Sequence, residues 1–463
     1  MLNTSGFVRA LRLLAVLCVC GPAFARAQEP EPERRRGDAA VDLDAQIRAY
    51  VRPYIETGNF SGSILVARDG RVLFESGFEQ ADREHGLANT PGTSFYLASA
   101  SRVFTSCAIM LLVQEGKMRV EDTLAAYLPE WPRGDEITIH HLLTLSSGMP
   151  NINSLRGYSL WSRSKQTPSA LVERFANLAL EFEPGTRSVH SNSNYVVLAL
   201  LIERVSGMSY GEFLRQRFFE PLGMARTSHD DDSEQAVSDL ARGYAPRGYA
   251  ELVPDPRANI QWSVKTGHAS VYSSVIDLYR FDTMLREGSI LSHESIEAMF
   301  TEHFPSNGYG WFVRGDAGER VISISGRSPG YGSTWIRGER DDVTVIVLGN
   351  IYNGVPVHIG NAILSMVRGE HPSPPSLSAS PPPEALLSEI VGEYSFGSDF
   401  YRPNATVRFQ NNGGHLFNNA SWLIPIGDDS FVHRTYWSTL TFLRDDHERV
   451  DRVRYDDFIG TKQ

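Results

Sequence analysis

A proline-rich stretch sets the first limit on how this chain folds. His371–Pro383 (HPSPPSLSASPPP) holds six prolines in thirteen residues. Each proline fixes φ and removes a backbone donor, so neither a helix nor an inner strand runs through it. The stretch reads as a semi-rigid linker. At 463 residues the chain is too long for one ordinary domain and suits a large domain before the linker and a small one after it. The expected division is an export signal at 1–27, a disordered tether at 28–41, the large domain at 42–368, the linker at 369–384 and a small β-barrel-like domain at 385–463.

Hydrophobic residues make up 41% and charged residues 21%, enough for a sizeable core. The formal net charge is −11, which argues against nucleic acid as a main partner. Of 44 Lys plus Arg, only Lys117, Lys165, Lys265 and Lys462 are lysines. Arg9 and Arg12 precede an apolar run, Leu13–Cys20, and small-residue cleavage sites at Ala23-Phe24-Ala25 or Ala25-Arg26-Ala27. That is the pattern of an export signal, and the run is too short to span a bilayer. The expected location is periplasmic or secreted, with no transmembrane segment in the mature form. Cys18 and Cys20 leave with the signal, so Cys107 remains alone and forms no internal disulfide.

The large domain opens as strand, turn, strand over Gly62–Ala67, Arg68-Asp69-Gly70 and Arg71–Glu75. A helix is expected over Ser99–Glu115, with Val103, Phe104, Cys107, Ala108, Leu111 and Leu112 at helical spacing and Gly116 stopping it. About 135–300 is mostly helical in pattern. Val321–Gly326, Ser333–Arg337 and Val343–Leu348 read as strands again. The expected architecture is one α/β sheet built from both ends of the domain, with an all-α lobe between. After the linker, short runs at Ala405–Phe409, Trp422–Ile426 and Leu440–Leu443 suggest a separate β-meander or small barrel.

Three loci carry chemistry. Ser99-Ala100-Ser101-Arg102 opens a helix, where the dipole favours a developing alkoxide. His190-Ser191-Asn192 follows Pro184-Gly185-Thr186. Ile324-Ser325-Gly326-Arg327 ends a strand before Ser328-Pro329-Gly330. With Phe60-Ser61-Gly62-Ser63, Tyr127-Leu128-Pro129-Glu130-Trp131, Ser147-Gly148-Met149-Pro150, Pro221-Leu222-Gly223-Met224 and Tyr309-Gly310-Trp311, these motifs resemble the penicillin-recognising serine hydrolases over about residues 57–368. That family includes class C β-lactamases, D-alanyl-D-alanine carboxypeptidases and related esterases. The resemblance implies their antiparallel sheet with flanking helices and an all-α lobe.

The resemblance places Ser99 on the nucleophile, Asn192 on the retained asparagine, and Gly326 with the Arg327 amide on the oxyanion strand. Three side chains depart from the pattern. Arg102 replaces the lysine, His190 the tyrosine, and Ile324 the strand cation. A guanidinium does not shed its proton near neutrality, so Arg102 cannot be a general base. His190 is the candidate base, and Arg102 and Asn192 would orient groups. Ile324 and Ser325 would wall the pocket, with Tyr158 and Trp161 at its rim. Lys265-Thr266-Gly267 is set aside as a chance match to the strand motif. His140 and His141 read as structural, Cys107 as core, and Asp230-Asp231-Asp232 as a solvated turn. No metal cluster and no cofactor are expected.

Two functional readings follow. One is a divergent or weak serine hydrolase acting on an ester, amide or peptide through a Ser99 acyl-enzyme. The retained serine, asparagine and glycine lean that way. The other is a catalytically lost relative that keeps the groove to bind a peptide, peptidoglycan or a partner; the hydrolase reading takes a small-molecule or peptide substrate, with cell-wall peptide among the candidates. The replaced side chains argue against ordinary β-lactam hydrolysis.

Overall fold

The computed structural model describes residues 34–232, 239–258, 260–378, 380–418 and 421–463, with side chains from Leu43 onward. The expected export signal at 1–27 lies outside the described residues.

The central sheet has six antiparallel strands. In chain order they are β1 (Gly62–Arg68), β2 (Arg71–Phe78), β3 (Phe312–Arg314), β4 (Val321–Ser328), β5 (Tyr331–Gly338) and β6 (Val343–Gly349). Their spatial order is β3-β4-β5-β6-β1-β2. Segments from both ends of the large domain therefore build one sheet, β1 pairing with β6 from Gly62↔Gly349 to Arg68↔Val343. The β1–β2 turn places Asp69 at φ 50° and Gly70 at φ 71°, the positive pair that a tight hairpin needs.

Strand side chains alternate between faces, and this sheet is covered on both. Ile64, Val66, Val345 and Val347 pack with helix α1 (Arg34–Glu56) and a C-terminal helix, Val355–Val367, through Ile47, Val51, Ile359 and Ile363. Leu65, Ala67, Ile346 and Leu348 face the opposite core. There helix α2 (Arg102–Gln114) and helix α3 (Ser193–Ser206) pack with the middle lobe. Cys107 is fully buried there, as expected of a core residue. Burial pushes its thiol pKa up.

Several details differ from expectation. Helix α1 begins at Arg34, inside the stretch expected as a tether; no proline follows Pro32 until Pro53, so nothing there forbids helix. The middle lobe also holds β-structure: a hairpin of Tyr244–Arg247 with Glu251–Pro254, and a small sheet joining Phe95–Tyr96, Val271–Ser273 and Ser228–His229. Such two- to four-residue strands are too short to show periodicity. The Asp230–Asp232 turn is not merely solvated. Asp230 accepts from Tyr96 Oη, and Asp232 accepts from the amides of Trp262 at 2.6 Å and Ser263 at 2.9 Å.

After the linker, eight strands from Gly392–Ser395 to Phe458–Lys462 close into a barrel. Its interior is filled by Tyr394, Phe409, Leu423, Phe431, Phe442 and Val453. It is not a separate unit, since Asp42–Gln463 is one compact body. Leu377 of the linker packs on the core beneath the sheet, and the Ser378 amide bonds the Pro425 carbonyl at 3.1 Å.

Candidate functional site

Ser99 sits on a 3₁₀ turn, Ala98–Ser101, rather than inside the α-helix, which begins at Arg102. The turn is held from three sides. The Leu97 amide bonds the Val271 carbonyl at 2.9 Å. Ser333 Oγ donates to the Leu97 carbonyl at 2.7 Å. Gly326 of β4 presses on it so closely that a Cβ there would lie 2.2 Å from Leu97 O and 2.7 Å from Ser99 N. Ala98 takes φ 51°, a conformation non-glycine residues rarely adopt. The β4 edge with Gly326 and Arg327 thus meets the Ser99 turn, as the sequence motifs imply. Among the described residues Ser99 makes no side-chain hydrogen bond.

Arg102 is the hub of the site. It is 4% exposed. Its Nη2 donates to His190 Nε2 at 2.6 Å and to Asn192 Oδ1 at 2.7 Å, and its guanidinium lies 5.2 Å from the Tyr195 ring centroid. The Asn192 end is fixed by the start of α3: the Asn192 amide bonds Asn151 Oδ1 at 3.2 Å, and Ser193 Oγ donates to the Pro150 carbonyl at 2.6 Å. Two of the expected site residues, His190 and Asn192, therefore converge on the guanidinium of a third, Arg102.

The chemistry of that contact is one-directional. Arginine only donates, so His190 Nε2 is the acceptor and the neutral ring carries its proton on Nδ1. His190 as a residue is exposed, but its ring tip meets the buried guanidinium. Loss of water around the ring, then the Arg102 charge, push its pKa down to about 4. His190 is neutral at pH 7, and its only basic nitrogen is occupied.

Ile324 is buried on β4 opposite Trp335. It lines a small cleft with Arg102, Leu145, Tyr195, Asn307 and Phe312. Where the resemblance implies a strand cation, the cleft has an apolar wall. Ser325 faces a second cavity, toward Arg327, His358 and the barrel's Tyr436. Arg327 itself is turned to the barrel: Nη1 donates to the Thr435 carbonyl at 3.0 Å, and its guanidinium lies 4.2 Å from the Tyr436 ring centroid. Tyr158 and Trp161 pack edge-on with ring centroids 4.8 Å apart, under Arg174, and do not line the Arg102 cleft. His141 closes a capping box with Thr138, and His140 Nδ1 pairs with Tyr309 Oη at 2.8 Å, both structural roles as expected.

Sequence reasoning missed two residues. Lys265 and His268 lie on the turn after Trp262, 6% and 1% exposed. The Gly267 carbonyl between them accepts from Thr105 Oγ1 on α2 at 2.6 Å. The tripeptide Lys265-Thr266-Gly267 is not a strand, so setting it aside as the strand motif stands, but its lysine is no surface residue. Burial alone drives its pKa down to about 8. Burial, then the charges of Lys265 and Arg102, hold His268 well below the ordinary histidine range. Among the described residues no carboxylate lies within 4.0 Å of Arg102 or Lys265, and Arg102 Nε and His268 Nε2 are buried without a partner. Isolated buried cations cost several kcal/mol, so Arg102 and Lys265 are each an unfavourable charge that the fold carries. Among the described residues no group of His, Cys, Asp and Glu is placed to hold a metal ion.

Comparison with known proteins agrees with this architecture. The chain is 31% identical over 335 residues to the putative penicillin-binding protein PbpX of Bacillus subtilis, spanning 71% of this chain and 80% of that protein. It is 31% identical over 313 residues to penicillin-binding protein 4* of the same organism, spanning 64% and 69%. The octameric penicillin-binding protein homologue from Pyrococcus abyssi superposes with a TM-score of 0.62 at 26% identity, covering 91% of this chain and 99% of that one. D-amino acid amidase from Ochrobactrum anthropi shares the fold, with a TM-score of 0.63 at 21% identity over 71% of this chain and 99% of that one. Residues 47–365 match the family described as Beta-lactamase, and the chain belongs to that family of penicillin-binding-like serine hydrolases.

Proposed function

We propose that this chain is a non-hydrolysing member of its family that uses the groove beside Ser99 to bind a ligand. The observation that carries this is the pair of hydrogen bonds from Arg102 Nη2 to His190 Nε2 and Asn192 Oδ1. A serine nucleophile needs a neighbour that takes its proton, and such assistance is worth about 10²–10⁴ in rate. Arg102 stands where the family base belongs and holds its own proton. His190 has spent its one lone pair on Arg102. The Ser99–His190 dyad expected from sequence therefore has no free base.

The relatives' names, penicillin-binding proteins and a D-amino acid amidase, support a peptide or small amide-like ligand, with cell-wall peptide a natural candidate. The signal pattern at 1–27 supports a periplasmic or secreted location. Among the described residues no helix is long and apolar enough to cross a membrane.

A fluorophosphonate probe tests the reading. We expect intact-mass analysis of the folded protein to show no adduct after long incubation. An adduct that disappears in Ser99→Ala would overturn it.

A further inference from the structure

We propose that His140 and His303 form a pH-sensitive latch, which holds residues 307–312 against the first turn of α2 near neutral pH and releases them in acid. The latch goes beyond the non-hydrolysing reading and stands whether or not Ser99 reacts.

The latched segment is one wall of the cleft at Arg102. Asn307, Gly310, Trp311 and Phe312 border that cleft, and the space left is about 20 Å³, room for about one water. Gly310, at φ 81°, is seated on α2 so closely that a Cβ there would lie 2.5 Å from Ser106 Oγ and 3.2 Å from the Arg102 carbonyl oxygen. The closed wall is not fully satisfied, since Trp311 Nε1 is buried without a partner. Opening returns that donor to water, which lowers the cost of release.

Tyr309, 3% exposed, sits in the middle of this wall between two histidines. Its ring stacks on His303 with centroids 4.2 Å apart and planes 13° apart. Its Oη pairs with His140 Nδ1 at 2.8 Å. The two imidazoles stand edge-on with centroids 5.1 Å apart. His303 Nε2–H donates to the Ala298 carbonyl at 3.0 Å.

Protons act on this arrangement in one direction. A protonated His140 no longer accepts from Tyr309, and with His303 also charged two cations face each other across 5.1 Å. Burial first, then repulsion from His303 and His141 once those rings are charged, hold the His140 pKa below its ordinary value, with Glu121 opposing. The other charges on the packed elements are engaged elsewhere. Glu302 accepts from the Ser306 amide at 2.5 Å, Glu297 pairs with Arg320, and Arg119 lies 3.5 Å from Glu121. In an open form both rings reach water and the ordinary histidine value of about 6.5. The open form therefore binds more protons, and the closed form loses ground as pH falls below about 6.5.

The test is hydrogen–deuterium exchange of the full-length protein at pH 7 and pH 5, read by mass spectrometry and corrected for the intrinsic pH dependence of amide exchange. Peptides spanning 299–313 should exchange about five-fold faster or more at pH 5, while those of β1 and β6 keep their protection. His303→Phe keeps a ring on Tyr309 without a charge, and His140→Gln keeps a hydrogen-bonding partner for its hydroxyl. Each should at least halve the acid gain, and the double variant should abolish it with protection at pH 7 retained. Equal protection of 299–313 at both pH values, a gain spread evenly over the chain, or an undiminished gain in the double variant overturns the proposal. If the double variant does not fold by circular dichroism, the unaltered protein and the single variants decide, and an undiminished gain in either variant overturns it. The two readings fail separately. A fluorophosphonate adduct on Ser99 removes the non-hydrolysing reading and leaves the latch, and equal protection at both pH values does the reverse.

Discussion

Arg434 of the barrel is fully buried and its Nε donates to Asn59 Oδ1, just ahead of β1, at 2.8 Å. The same guanidinium serves the carbonyls of Gly58, Arg247, Gly248 and Glu251 at 2.8–3.1 Å. Beside it the Leu416 amide donates to Tyr249 Oη at 2.7 Å. The barrel is thus pinned to the hydrolase-type fold next to the groove, where Tyr436 covers Arg327.

Replacing Arg434 tests that pin. Arg434→Met removes a buried cation, which is favourable, but strands five acceptors, each costing about 1–3 kcal/mol when unsatisfied. A net loss of about 2–4 kcal/mol is expected in urea unfolding at pH 7. Arg434→Lys, with three donors on one atom, should recover less than half. A loss below about 0.5 kcal/mol for Arg434→Met would mean that this contact does not hold the barrel.

Gly326 has no room for a side chain. Its neighbours at 2.2 Å and 2.7 Å are backbone atoms of the Ser99 turn, which cannot step aside as a flexible side chain would. Gly326→Ala should cost about 1–3 kcal/mol, the range for overpacking. Ser325→Ala, one residue away and half-buried, should stay within about 0.5 kcal/mol. Similar unfolding midpoints for the two variants would show that β4 does not press on the turn.

The His190 tautomer is directly observable. Nitrogen-15 spectra of the folded protein at pH 7 should show His190 Nε2 as the unprotonated nitrogen and Nδ1 as the protonated one. Protonation should come only near pH 4. Between pH 4 and 6.5 the unfolded chain then binds more protons than the native one at this site, so stability falls as pH drops through that window. His190→Asn, which keeps an acceptor for Arg102, should lose this part of the pH dependence. A protonated Nε2 at pH 7 would free the ring from Arg102 and reopen the dyad.

The frame was readable because its signals are local. The near-continuous apolar runs Ile64–Ala67 and Val343–Leu348 report strands buried on both faces, and Asp69-Gly70 reports the β1–β2 hairpin. The motifs around Ser99, His190 and Gly326 reported that the three loci meet. What they do on meeting was not readable. A histidine next to an arginine is a base or an acceptor according to which nitrogen faces the guanidinium, and only geometry decides that. Lys265 and His268 were missed because their approach to α2 is set by the Thr105–Gly267 contact, 162 positions apart in sequence. Nothing local marks Arg434 either, because its partners Gly58, Asn59, Arg247, Gly248 and Glu251 lie far away in sequence.

Lys265 offers the sharpest check on the buried charges. Its pKa is pushed down to about 8 by burial, against about 10.4 in an unfolded chain. Between these values the unfolded state binds more protons, so the native protein gains stability as pH rises from 8 to about 10.4. Below pH 8 the full cost of a buried charge is present. Lys265→Met keeps much of the side-chain volume without the charge. Its melting temperature should exceed that of the unaltered protein at pH 7, and the difference should fade by about pH 10.4. A variant less stable at pH 7, or a difference independent of pH, would mean that Lys265 is not a buried, uncompensated cation.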